Sequence, residues 1–301
     1  MYQPPTTTRA ATLTTVTISL FSACGTGENT TANATTTRSI TQPIDNTWGG
    51  FSWELAKAVN PALYTPQQIV YPATGFFFGD AISYSDSITQ GVATCATMIE
   101  NCGGQFVLVG YSQGAELISQ VLQELQSGAL TAYMPKLVAG VTFGNPMREQ
   151  GHTWPNDPTG CTGQGINGNS SAPTSLLQDT PTTWWDMTNT YDLAGNIPTG
   201  SAGAIINDIW TAMGQVSVQS ITQVVNVIAN VAQGNDDPLG SIISGLLSNP
   251  LAEGEALTTA ITFLIQAVIQ ISSKGHDSFD TNVGDTSMSF VQIATNYLNS
   301  F

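Results

Sequence analysis

A serine stands between two glycines in the pentapeptide Gly-Tyr-Ser-Gln-Gly at residues 110–114, which matches the pattern G-x-S-x-G. The apolar run before it predicts a buried strand, and the helical spacing after it predicts a helix, which is the setting that this pattern requires. Glycines at both ends permit a sharp turn that lifts the Ser112 hydroxyl above the edge of the sheet. Ser112 is therefore a candidate nucleophile for acyl transfer, and the alternative is a serine that only caps a helix.

A serine hydroxyl needs a base to take its proton, and histidine is the usual base near neutral pH. The chain has two histidines, His152 and His276. His276 lies in a predicted loop late in the chain, as the order serine, acid, histidine requires, and we favour it. His152 is interpreted as a loop or pocket-rim residue. Because an unperturbed imidazole protonates at about pH 6.5, acyl transfer should fall below about pH 6.

The carboxylate that orients the histidine should lie between Ser112 and His276 in the chain. Asp192 follows a predicted strand by a few residues, where a loop at the carboxyl edge of a parallel sheet would lie, and ligand sites gather at that edge. Asp186 is the rival, but it is predicted to lie within or at the end of the strand, where a cap or a local hydrogen bond explains it. We favour Asp192. The other acids in this interval are Asp157, Asp179, Asp208, Asp236 and Asp237.

Two hydrogen-bond donors are needed for the oxyanion that forms during acyl transfer. The amide of the residue after the nucleophile, Gln113, is one candidate, because the first amides of the following helix point towards the developing charge. The glycine-rich turn over residues 24–28 offers the second donor. We expect Gly25 to allow close approach of the backbone there, and Thr26 to add a hydroxyl.

The order of the predicted elements is that of an α/β protein. Strands are predicted over residues 13–22, 68–71, 105–109, 136–143 and 182–187, and helices over residues 51–59, 84–100 and 115–126. This alternation indicates a mostly parallel central sheet with helices on both faces. We divide the chain into a flexible tail (1–12), a core (13–202), a helical insertion (203–273) and the end of the core with the candidate histidine (274–301).

The composition excludes several kinds of partner. Lys and Arg number 6 against 21 Asp and Glu, which gives a net charge of −15 and a surface that repels nucleic acid and anionic lipid. The four cysteines show no zinc-binding spacing, and with only two histidines no metal site or other cofactor is expected. No apolar run is long enough for an integral membrane segment. A lipoprotein-like signal ending at Cys24 is disfavoured, because threonines dilute the apolar stretch before it.

Several short blocks resemble a known group of esterases. Gly-Tyr-Ser-Gln-Gly at 110–114 resembles the nucleophile turn of cutinases, and Gly-Asn-Pro-Met-Arg at 144–148 is similar to the signature of the lysin B esterases of mycobacteriophages. The turn at 22–28 resembles the first loop of lysin B, the stretch 185–193 resembles its segment around the catalytic aspartate, and His276 falls where its histidine falls.

The resemblance implies an α/β-hydrolase that cleaves the ester between mycolic acids and arabinogalactan during phage-induced lysis. Such a protein would be a monomer made in the host cytoplasm and active at the outer mycolate layer. The insertion 203–273 would then form an apolar lid over the serine, or it would only complete the core. The alternatives are a cutinase-like esterase of short lipids and a non-catalytic lipid- or wall-binding protein.

Two smaller expectations concern single side chains. Cys95 and Cys102 are seven residues apart across a predicted helix end, so a bridge between them is conceivable. Cutinases place a half-cystine near the position of Cys102, but the usual partner position here is not a cysteine, and we do not favour the bridge. Arg148 is expected to form a structural salt bridge with a carboxylate in the loop after the strand at 136–143.

Overall fold

The structure, a computed structural model, describes residues 17–28, 49–74, 82–167, 176–199, 207 and 275–301. The predicted tail 1–12 and almost all of the predicted insertion 203–273 lie outside these residues. The division of the chain into four segments therefore stays a prediction.

A single parallel sheet forms the centre of the described fold. Its strands are β1 (Ile18–Ala23), β2 (Tyr64–Gln68), β3 (Phe106–Tyr111), β4 (Leu137–Phe143) and β5 (Trp184–Met187). They lie in the order β2-β1-β3-β4-β5, and every neighbouring pair is parallel. All six residues of β3 are buried, as the continuous apolar run predicts for a central strand covered on both faces.

Within the described residues, the sequence pattern misplaces the second strand. We predicted it over residues 68–71, but β2 spans Tyr64–Gln68 and pairs with β1 from Ile18 to Ser22. β2 is an edge strand, which explains how it accommodates Pro66 and its polar residues. The apolar residues that suggested the strand, Ile69 to Tyr71, pack into the core just after it.

In the described part of the chain, four α-helices cover the sheet. They are α1 (Phe51–Ala58), α2 (Tyr84–Asn101), α3 (Gln113–Ser127) and α4 (Phe290–Leu298), and a 3₁₀ helix spans Thr131–Lys136. Ser83 caps α2 by accepting a hydrogen bond from the Asp86 amide, and Ser289 with Gln292 forms a capping box at the start of α4.

The helices lie on opposite faces of the sheet, as predicted. Successive side chains of a strand point to opposite faces, and at the end of β3 the ring of Tyr111 contacts Phe51 of α1, whereas Gly110 lies against Gly114 and Ala115 of α3. α4 packs on α1, and α2 packs on α3. The predicted α/β architecture is confirmed.

The connectivity marks one edge of the sheet as the place for a site. After β1 the chain adds β2 on one side and then returns to add β3 on the other, so the strand order reverses between β1 and β3. Open α/β sheets bind ligands beyond the carboxyl ends of the strands at such a reversal. The turn at residues 24–28 follows β1, and Ser112 follows β3, at this position.

All four cysteines are described and are free thiols, so Cys95 and Cys102 are not bridged. Within the described part of the chain, no helix has the length and apolar content needed to cross a bilayer. In the same residues, no three acidic, histidine or cysteine side chains come together as a metal site would require.

Candidate active site

The turn from β3 to α3 holds Ser112 in a strained conformation. Its φ of 53° and ψ of −118° are values that a residue with a side chain rarely adopts. The turn closes tightly: a Cβ on Gly110 would lie 2.4 Å from the carbonyl oxygen of Gly114, and one on Gly114 would lie 2.3 Å from that of Ala23. The two glycines of the pattern are therefore required by close packing of the turn against itself and against β1.

The structure brings three of the predicted residues together. His276 Nε2 lies 2.7 Å from Ser112 Oγ, and His276 Nδ1 lies 2.8 Å from Asp192 Oδ1. A carboxylate can only accept, so Nδ1 of the neutral ring carries the proton and Nε2 accepts from the serine hydroxyl. In this tautomer the imidazole is ready to take the Ser112 proton.

Packing fixes the position of the histidine ring. The ring of Tyr111 lies beside it with centroids 5.1 Å apart, and the Tyr111 hydroxyl donates to Asp277 Oδ1 at 2.8 Å. Gly144, which follows β4 with a φ of 59°, lies directly against the ring, and a Cβ there would be 2.5 Å from His276 Cε1. Phe279 packs edge-on to the same ring. Neighbours from three separate chain segments therefore hold the imidazole in place.

Asp192 is fully buried behind the histidine. Its Oδ1 accepts from the Ala194 amide at 3.0 Å as well as from His276. Asn189, in the same loop, donates to the Gly275 carbonyl at 2.6 Å and thereby joins the aspartate loop to the histidine loop. The acid and the base are thus held by direct links between their two loops.

The electrostatic surroundings of His276 favour its charged form. Burial lowers the pKa of the imidazole, but the negative charges of Asp192, Asp277 and Glu28 outweigh this effect, and the pKa is raised above its ordinary value. As the pH falls, the neutral ring that can act as a base is therefore protonated at a higher pH than in an unperturbed histidine.

The rival residues of the sequence analysis form a second pair, in which Asp186 is buried and His152 is partly exposed. His152 Nδ1 lies 2.7 Å from Asp186 Oδ2, and Asp186 Oδ1 accepts from Thr142 Oγ1 at 2.5 Å and from Asn145 Nδ2 at 2.8 Å. Burial raises the pKa of Asp186, but these hydrogen bonds and the charge of His152 lower it overall. Burial lowers the pKa of His152, but Asp186 raises it overall. Asp186 is thus an ionised carboxylate that binds His152 and stabilises the structure, and it is not the acid that contacts His276.

Among the described residues, Arg148 forms no salt bridge with a carboxylate, contrary to our prediction. The side chain is fully buried, and its nitrogens donate to the carbonyl oxygens of Gly195, His152 and Gly163 and to Asn196 Oδ1 at 2.5–3.0 Å. These acceptors come from the loop after β4 and from the loop that carries Asp192. The guanidinium therefore binds two loops of the site together through neutral acceptors.

One of the predicted oxyanion donors is already engaged. The Gly25 amide donates to Glu28 Oε2 at 2.6 Å, and the amides of Gly27 and Glu28 donate to Ala73 and Gly25. Thr26 forms no hydrogen bond with any other described residue. The amide of Gln113, at the first position of α3, has no acceptor within the helix. Gln113 and Thr26, rather than Gly25, are therefore the available donors.

Three residues of the site were not singled out from the sequence. Glu28 belongs to the Gly-Thr-Gly-Glu turn, and Tyr111 belongs to the pentapeptide at 110–114. Each therefore lies in a motif that the sequence analysis used, but nothing in the spacing assigns either residue a contact. Asn189 precedes Asp192 in a polar loop that has no distinguishing pattern. Their roles become visible only when the loops are brought together.

Comparison with known proteins identifies related chains. The sequence model described as the PE-PPE domain matches residues 61–241. An acetylxylan esterase from Hypocrea jecorina is 29% identical over 157 residues, which are 44% of this chain and 49% of that enzyme. The match spans about half the length of this curated relative.

Solved structures with a similar fold include phage and fungal proteins. Lysin B from mycobacteriophage D29 is 21% identical with a TM-score of 0.51, and the alignment covers 93% of this chain and 98% of lysin B. A cutinase-like protein from Cryptococcus sp. is 17% identical with a TM-score of 0.44, over 84% of this chain and 95% of that protein. The similarity to lysin B shows a shared fold.

Proposed function

The chain belongs to the PE-PPE domain family, and we propose that it is a serine carboxylic-ester hydrolase. The observation that carries this proposal is the chain of hydrogen bonds from Asp192 through His276 to Ser112, with lengths of 2.8 and 2.7 Å. Nucleophile, base and orienting acid are the three parts that acyl transfer by a serine requires.

The proposed reaction proceeds through an acyl-enzyme. Ser112 Oγ attacks the ester carbonyl while His276 Nε2 takes its proton, and the resulting oxyanion accepts hydrogen bonds from the amides of Gln113 and Thr26. Collapse of this intermediate expels the alcohol, which receives the proton from His276. Water, deprotonated by the same imidazole, then releases the acid and restores Ser112. Asp192 stabilises the imidazolium in both halves of the reaction.

For the substrate we propose the ester between mycolic acids and arabinogalactan in the mycobacterial envelope. The fold similarity to lysin B and the Gly-Asn-Pro-Met-Arg block at 144–148 support this choice. A polysaccharide without phosphate is also compatible with a net charge of −15. The protein would then act at the outer mycolate layer of the host during lysis.

A second candidate is an esterase of short acyl groups. The 29% identity to an acetylxylan esterase favours this alternative, because the enzyme named there acts on acetylated xylan. Both candidates use the same proposed chemistry at Ser112 and differ only in the acyl group and the alcohol.

Three substrates distinguish the candidates. Purified mycolyl-arabinogalactan, acetylated xylan and p-nitrophenyl butyrate are incubated with the protein, and released acids are measured by mass spectrometry. Release of mycolic acids supports the proposed substrate, whereas hydrolysis of only the short esters supports the second candidate. No hydrolysis of any ester, together with no fluorophosphonate labelling of Ser112, would indicate a non-catalytic lipid- or wall-binding protein and refute the proposal.

We expect kcat/KM to rise with pH through a midpoint above about 6.5, the ordinary imidazole value. His276 must be neutral to accept the serine proton, and the neighbouring carboxylates raise its pKa, so the active form appears at higher pH than in an unperturbed site. On lowering the pH, activity should therefore be lost at a pH above the value of about 6 that an unperturbed imidazole predicts. Rates on p-nitrophenyl butyrate between about pH 5 and 9 test this, and a flat profile would contradict the assignment of His276 as base.

A further inference from the structure

The carboxylate of Glu28 closes the turn that follows β1. Its Oε2 accepts from the Gly25 amide at 2.6 Å, and the Glu28 amide donates in return to the Gly25 carbonyl at 3.3 Å. Gly27 adds a third hydrogen bond, to the Ala73 carbonyl at 2.9 Å. From Gly25 to Glu28, every backbone amide except that of Thr26 has an acceptor among the described residues, and the Thr26 amide is the donor that the proposed reaction needs.

The same carboxylate is packed against the start of α1. A Cβ on Gly50, the residue that caps this helix, would lie 2.1 Å from Glu28 Oε2 and 2.4 Å from its carboxyl carbon. A Cβ on Gly25 would lie 3.1 Å from the same oxygen. The carboxylate therefore fills the space between two backbone segments, and the N-terminus of a helix favours its negative charge.

Several charged and titratable groups interact with Glu28. The imidazole of His276 favours its charged form, whereas Asp277 and Glu54 disfavour it. The charge of Glu28 also acts on Cys24, Tyr71 and Tyr111, and adds to the effect of burial in raising the pKa of each. Burial is the largest influence and raises the pKa of Glu28 to about 7. In return, the charge of Glu28 contributes to the raised pKa of His276.

We propose that Glu28 is a positioning residue for ester hydrolysis, which holds the Gly25–Glu28 turn so that Thr26 presents its amide to the oxyanion. This inference rests on the proposed function. Glu28 does not touch the reacting atoms. It acts by accepting the Gly25 amide, and its charge separately favours protonated His276.

Two substitutions separate the acceptor from the charge. Glu28→Gln keeps an oxygen that can accept the Gly25 amide but removes the charge, whereas Glu28→Ala removes both. We expect Glu28→Ala to lower kcat on p-nitrophenyl butyrate at least tenfold with KM within about twofold, because loss of one oxyanion donor costs about 10²–10³ in kcat. Glu28→Gln should keep kcat within about threefold and shift the midpoint of the pH profile downwards, because His276 loses a neighbouring negative charge.

Glu54→Gln is the matched control. Glu54 is an exposed carboxylate in the first turn of α1 that influences Glu28 only through its charge, so its variant should keep kcat and the pH midpoint. Circular dichroism verifies that each variant is folded. The inference is wrong if folded Glu28→Ala keeps the kcat of the wild type, or if Glu28→Gln loses as much kcat as Glu28→Ala. A wild-type protein without turnover would refute the proposed function itself and this inference with it.

Discussion

Ser112→Ala is expected to lower kcat for ester hydrolysis by about 10⁵-fold, because removing the nucleophile of a serine hydrolase removes nearly all catalysis beyond that of binding and the oxyanion hole. The side chain does not contribute to the core, since its single described hydrogen bond is to His276 Nε2. The variant should therefore fold normally. Rates on p-nitrophenyl butyrate measure the loss, and circular dichroism measures the fold.

A labelling experiment makes the same prediction independent of substrate. A fluorophosphonate probe should modify the wild-type protein at Ser112, located by mass spectrometry of the labelled peptide, and should not modify Ser112→Ala. Ser127→Ala is the matched control, because Ser127 is an exposed serine at the other end of α3. A labelled Ser112→Ala protein with unchanged turnover would end the proposal.

The two buried aspartates are expected to respond in opposite ways. Asp192→Asn should lower kcat by about 10⁴-fold, because the amide no longer fixes the tautomer of His276. Asp186→Asn should keep most of the activity per folded molecule but lower the free energy of unfolding by about 3 kcal/mol, because it leaves His152 without the anion that it contacts at 2.7 Å. Urea denaturation and rates on p-nitrophenyl butyrate, measured for both variants, test the pair of predictions.

The stability loss of Asp186→Asn should itself depend on pH. The pKa of Asp186 is lowered in the native protein, so its contribution is present above the unfolded value of about 4 and is lost as the pH falls further. The pKa of His152 is raised, so its contribution is present below about pH 6.5 and is lost as the pH rises. The difference from wild type should be largest between these values. A large loss of stability in Asp192→Asn with full activity would reverse the two assignments.

The side chains that the structure brings together at Ser112 could be named from the sequence because the choices were few. One G-x-S-x-G pattern stood between a strand and a helix, and only one of two histidines lay late in the chain. The sequence also separated Asp192 from Asp186 by their positions relative to β5. It did not predict that Asp186 and His152 bind each other, because no pattern in the sequence links two residues that stand 34 positions apart.

The errors have physical causes that a single sequence does not display. The prediction places β2 too late in the chain because the polar residues and the proline of the true strand do not form an apolar pattern. An edge strand tolerates them, since only one of its sides is paired. The motif predicts Gly25 as an oxyanion donor because it does not reveal that the Glu28 carboxylate folds back onto the Gly25 amide. Arg148 was expected to bind a carboxylate, but four polar acceptors from two loops surround it.

The separation of Ser112 and His276 along the chain, 164 positions, has a consequence for biosynthesis. A ribosome that stops between β5 and residue 276 releases a fragment that contains the five strands, the serine turn and His152, but not the His276 imidazole that contacts Ser112. We therefore expect such a fragment to be inert towards esters, because the proposed hydrolysis requires His276, which is synthesised shortly before α4.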